Sequence, residues 1–208
     1  MFSKEEKGDD EGLTTTRIAA LSDGIFAISM TLLVLTMEIP PVKAGLSANL
    51  QTILVEQDHR LINYVLSFVL LAIFWIVLHE QFHNIKRTDR VHLWINIFIL
   101  MFVALIPFST SLVGDFHDQT ISELFFGVNL FALGSLISIH WLYATHKYRL
   151  VKENLSQNQI MVGLRRSLVT PFIAILAMIV AVFNPANASN LYILIPVVLF
   201  LPIFRRKP

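Results

Sequence analysis

The strongest chemical signature in the chain is His79-Glu80-Gln81-Phe82-His83, an H-E-x-x-H run. On a helix it puts two histidines on one face for Zn²⁺, with the glutamate as general base. A second chemical candidate is Asp23, which stands alone in a long apolar stretch. It falls about 9 Å into the first apolar segment, counted from Arg17 at about 1.5 Å per residue. A carboxylate at that depth costs several kcal/mol unless it is paired, and it marks either a proton or ion role or a polar pin between helices. His79 and Trp75 are four apart and share a face, at a depth that Asp23, Ser22 and His140 can reach. The spacing therefore predicts one polar layer near one end of the helices, with Arg17 beside it.

The elements that must hold these residues are membrane helices. Of the 208 residues, 55% are apolar and 15% charged, and the mean hydropathy is +0.64. Soluble domains carry about 25% charged residues. The balance excludes a soluble globular domain and a disordered chain. The net charge of +1 leaves no surplus for nucleic acid, so no nucleic-acid partner is expected. There is no cysteine, hence no disulfide and no thiolate metal site. No internal repeat or low-complexity tract interrupts the chain.

A spanning helix needs about 20 mostly apolar residues. Six segments qualify as candidates: 17–37, 61–83, 93–113, 121–143, 167–183 and a short one at 191–204 that carries Pro196 and Pro202. Residues 1–16 form a polar N-terminal segment, without the basic start and small-residue cleavage site of a signal peptide. Residues 205–208 form a basic tail. With six spans, fourteen of the sixteen Lys and Arg fall on one side, and only Lys43 and Arg60 on the other. The positive-inside rule then puts both termini in the cytoplasm. The expected fold is an all-α integral membrane protein with six transmembrane helices per subunit. In the connection 38–60, Leu46, Leu50, Ile53 and Leu54 suggest a short amphipathic helix on the outer surface. Asp115, Asp118 and Glu123 lie by the outer loops, where they are either solvated loop charges or a negative field that concentrates cations.

Within the first helix, Ile28, Leu32 and Leu35 form one stripe, extended by Leu21 and Ile25. Asp23 is turned about 140° from Ile28, and Thr31 sits about 60° off the stripe, at its border. By itself such a stripe packs against lipid or another helix.

The run Arg17-Ile18-Ala19-Ala20-Leu21-Ser22-Asp23-Gly24, followed by Ile25–Leu35, resembles the signature of the transmembrane protein 175 family of potassium channels. That signature is Arg, three residues, then Phe-Ser-Asp; Leu21 stands here in the Phe position. Trp75 and His79 late in the second helix also fit the family. The chain lacks a Thr-Val-Gly-Tyr-Gly filter, as the family does. The resemblance implies a bacterial, single-repeat type, assembled as a homotetramer in the inner membrane. Its pore would be lined by the first helix of each subunit. It implies Ile28 at the narrowest point, Leu32 and Leu35 as further apolar lining, and Thr31 contributing hydroxyls to potassium preference. Arg17, Ser22, Asp23, Trp75 and His79 would form the helix-packing polar network. The permeant ion would be K⁺, with no cofactor and no catalytic residue.

Two other classes compete. An intramembrane zinc protease would use H-E-x-x-H with Asp23 as a third ligand. Such proteases also carry a later Asp motif, and no Asp follows inside the apolar segments. His83 also sits beside Lys86 and Arg87, which repel a cation. A secondary transporter would show broken helices near the midplane, and Pro107 and Pro171 fall near the ends of the apolar segments.

Overall fold

The computed structural model describes residues 15–37, 58–116 and 118–200. The amphipathic helix expected within 38–60 and the basic tail lie outside the described residues. Among the described residues, five helices are long and apolar enough to cross a membrane. We label them α1, Thr15–Leu32 with a 3₁₀ continuation Leu33–Thr36; α2, Asp58–Asn84; α3, Arg90–Asp115; α4, Thr120–Thr145; and α5, Gln157–Phe183. The 27 residues of α2 reach about 40 Å. That exceeds a hydrocarbon core of about 30 Å.

The sixth segment differs from expectation. It starts at Pro185 rather than Leu191 and forms a shorter apolar helix, α6, Pro185–Leu199. A 3₁₀ stretch, Ser189–Ile193, interrupts it between Pro185–Ala188 and Leu194–Phe200. Pro185 stands in the first helical turn, where its missing N–H costs nothing.

The fifth helix starts ten residues before the expected Ser167, at Gln157. Its start is set by Ser156, whose hydroxyl accepts from Gln159 N–H at 3.2 Å, while Gln159 Oε1 accepts from Ser156 N–H at 3.1 Å. This reciprocal cap stabilises a polar extension that hydropathy alone does not see. With the helix lengthened, Pro171 lies in its interior rather than near an end. Pro107 likewise lies inside α3.

One apolar core runs through the bundle, with Phe26 of α1, Leu71 of α2, Ile99 of α3, Leu133 of α4, Ala177 of α5 and Tyr192 of α6 all buried. Close approach of α4 and α5 depends on Gly134. A Cβ there would lie 2.7 Å from Pro171 Cδ and 3.2 Å from Pro171 N.

The two links at one end of the bundle meet. Lys86 N–H donates to Leu150 O at 2.8 Å, and Ile85 pairs with Val151 in an isolated antiparallel bridge. Lys86, Arg87, Lys147, Arg149 and Lys152 therefore gather on one face of the molecule. The other end carries Arg60 of α2, ion-paired with Asp115 of α3 at 2.8 Å.

Candidate functional site

The first helix shows two faces. Ile18, Ser22, Phe26, Ser29 and Leu33 are buried against the bundle. Ile28, Leu32 and Leu35 are 55%, 43% and 66% exposed, and Leu21 is exposed with them. Ile25 departs from that stripe and packs against the core. Thr31 is exposed, and its hydroxyl donates to Ile28 O at 2.8 Å, which leaves the oxygen lone pairs outward.

The polar flank of α1 is held by α2. Trp75 Nε1–H donates to Asp23 Oδ1 at 2.8 Å, and the His79 ring lies 5.4 Å from Trp75, tilted by 33°. All three side chains are exposed at the surface of the chain. Ser22 faces the opposite way. Its hydroxyl donates to Ile18 O at 2.9 Å and accepts from Asn96 Nδ2 of α3 at 3.2 Å. Arg17 is exposed in the first turn of α1 and joins neither group.

His140 does not belong to this layer. It is fully buried, with Nδ1 2.7 Å from Gln81 Oε1. That contact requires Nδ1 to carry the proton, since an amide oxygen only accepts. Its ring stacks on His92 at 4.2 Å. Polar residues near the basic face thus divide into an exposed Asp23–Trp75–His79 set and a buried Gln81–His92–His140 set. A helix-depth count places them at one level but does not fix which side of α2 each one meets.

The H-E-x-x-H run does not form a zinc arrangement. Glu80 is ion-paired with Arg166 of α5 at 2.5 Å, and His79 lies against Trp75. Among the described residues no three His, Cys, Asp or Glu side chains converge.

Asp89, between α2 and α3, gathers three partners. It accepts from His92 N–H at 2.9 Å and from the Tyr143 hydroxyl at 2.8 Å, and Arg149 Nε is 3.3 Å away. Burial pushes its carboxyl up, but the two hydrogen bonds and the Arg149 charge outweigh it and hold the group below its ordinary value.

Sequence reasoning missed Asn96, Gln81 and His92 as partners. Asn96 alone carried a signal, as a single amide between Ile95 and Ile97. Glu123 was read as an outer-loop charge, yet it is 1% exposed and bonded to Ser189 of α6.

Long apolar helices and an outward-facing apolar stripe define a multi-pass α-helical membrane protein. Residues 17–107 match the family described as endosomal/lysosomal potassium channel TMEM175, a family of ion channels rather than enzymes. A relative named a potassium channel from Streptomyces collinus is 36% identical over 100 residues. That match spans 48% of this chain and 48%, about half, of the relative. A relative named a potassium channel from Chamaesiphon minutus is 29% identical over 150 residues, 70% of this chain and 73% of the relative. The fold resembles the crystal structure of a lysosomal potassium-selective channel TMEM175 homologue from Chamaesiphon minutus, with TM-score 0.78 and 21% identity, over 90% of this chain and 98% of that one. Over residues 17–107 the chain is thus similar to the TMEM175 channels, and its fold resembles theirs.

Proposed function

We propose that the protein is a bacterial inner-membrane cation channel that passes potassium in preference to sodium down its gradient. The observation that carries this reading is the exposed Ile28–Leu32–Leu35 stripe of α1, within the segment that matches the channel family. The names of the bacterial relatives support potassium as the permeant ion.

Four copies assemble with α1 around a central axis. Ile28 forms the narrowest ring, and Leu32 and Leu35 continue the apolar wall. A neck of this kind sheds water easily, so a closed pore meets ions with a dewetting barrier. Modest separation or rotation of the α1 helices rewets it. No carbonyl cage is used; pore width and the Thr31 hydroxyls set the preference for potassium.

Assembly also resolves the flank of α1. Asp23 and His79 are exposed in the single chain, and lipid contact with such groups costs several kcal/mol. A neighbouring subunit covers them, and two separate contacts position α1 without touching the ion: Asp23 with Trp75 and His79 on one flank, and Ser22 with Asn96 on the other.

Six membrane passes put both termini in the cytoplasm, with α6 as a short sixth pass. The clustering of Lys86, Arg87, Lys147, Arg149 and Lys152 on one face supports that orientation. The test is potassium and sodium flux from liposomes holding the purified protein, with Ile28→Ala alongside. Fast downhill flux that favours potassium, and that changes in the variant, is expected. Absence of flux over a range of pH and voltage overturns the reading.

A further inference from the structure

Glu123 sits in the first turn of α4 and is 1% exposed, yet among the described residues only one of its carboxylate oxygens is engaged. Oε1 accepts from the Ser189 hydroxyl at 2.5 Å. Oε2 is buried and has no hydrogen-bond partner among the described residues. A buried carboxylate with an unanswered oxygen is costly, so such groups are normally paired.

The same residue lines a cavity of about 440 Å³ at the end of the bundle opposite the basic links. The cavity lies between the start of α2, the α3–α4 link and the first turns of α6. Ile62, Leu66 and Ile193 supply apolar wall, and Asn63 and Asn187 supply amides. Asp118 adds a second acidic group to the lining. The volume falls in the range of small-molecule sites, about 300–1,000 Å³. It is far larger than a bare metal ion needs, and a hard cation would want six or more oxygens where apolar wall stands instead.

We propose that this cavity binds a small organic cation, a primary alkylammonium, with Glu123 Oε2 as its counter-ion. An ammonium brings three donors and a positive charge beside Glu123, in a cavity that His59 also lines. The Asn63 and Asn187 side-chain oxygens take remaining donors, and the alkyl part rests on Ile62, Leu66 and Ile193. No residue of the α1 stripe lines the cavity. Ser189 belongs to the 3₁₀ stretch of α6, so a ligand on Glu123 also ties α4 to α6.

The test is calorimetric titration of n-butylammonium into the full-length protein held in amphipol, with 1-butanol as the neutral control. Saturable binding of the amine and none of the alcohol is expected. Glu123→Gln should weaken the amine by about tenfold or more, the loss of one charge-assisted contact. Asn187→Trp, at an exposed position, fills the cavity without touching the core and should abolish binding. Should Glu123→Gln fail to fold, Asn187→Trp decides alone. No saturable heat with the wild type, or unchanged affinity in Asn187→Trp, overturns the proposal. So does displacement of the amine by an equal concentration of potassium, which would mark an inorganic-cation site.

Discussion

The Trp75 indole donates to the Asp23 carboxylate across 2.8 Å, a bond that ties α1 to α2 along their exposed flank. It draws the carboxylate sideways to α2, while Ile28, one and a half turns on, remains exposed at 55%. Asn96 holds Ser22 on the remaining side. The face of α1 left open is therefore apolar by construction.

That geometry supports a structural role for the Trp75–Asp23 bond. Trp75→Phe removes the donor and should cost about 1 kcal/mol, because the bond lies at an exposed position. Asp23→Asn keeps a carbonyl acceptor but loses the charge, and should lower the yield of assembled protein. Size-exclusion profiles and thermal unfolding read both. A well-assembled Asp23→Asn protein with altered conduction would instead assign the carboxylate a direct role with the ion.

Ile28→Ala should widen the neck, raising current or loosening selectivity in planar-bilayer recordings. If current and selectivity both stay unchanged, the constriction lies elsewhere.

Thr31→Ala should lower the preference for potassium. Its hydroxyl hydrogen is committed to Ile28 O, so the oxygen is what an ion would meet. The reversal potential under bi-ionic potassium and sodium conditions should move toward zero. An unmoved reversal potential would refute the role.

Asp89 makes the basic face acid-sensitive. Its folded-state pKa lies below the ordinary 3.8. The stabilisation is therefore fully present above the ordinary carboxylate value and is lost as pH falls through the lower folded value. Asp89→Asn keeps an oxygen for the α3 cap but loses the charged oxygen that Tyr143 and Arg149 meet, and should destabilise the fold at about pH 6 by about 1 kcal/mol. It should also flatten the decline in stability below about pH 4. Thermal unfolding across that range measures it; parallel profiles for the two proteins would count against the assignment.

Gly134→Ala should destabilise the α4–α5 contact by about 1–3 kcal/mol, because the new methyl meets Pro171 backbone and ring atoms that cannot yield. Detergent-solubilised thermal unfolding reads the change. An unchanged unfolding temperature would mean that α5 shifts to admit the methyl.

Hydropathy in the sequence is enough to locate the long apolar helices, because a bilayer demands continuous apolar length and each helix satisfies its own backbone. The contrast on α1 between Asp23 and the Ile28–Leu32–Leu35 stripe is likewise legible, since it follows from helical spacing alone. Polar helix extensions are not, which is why α5 begins at Gln157 and not at Ser167. Partner choice is not local either. Glu80 completes an H-E-x-x-H pattern in sequence, yet Arg166, 86 residues away, engages it. His140 shares a depth with Asp23 and still stacks on His92. Glu123 reads as a loop charge until α6 folds over it and buries it beside Ser189. Composition and period determined which segments are membrane helices and which stripe of α1 is apolar. Only the packing of one helix face on another decided which polar groups meet, because periodicity fixes a side chain's direction on its own helix and not the neighbour that waits there.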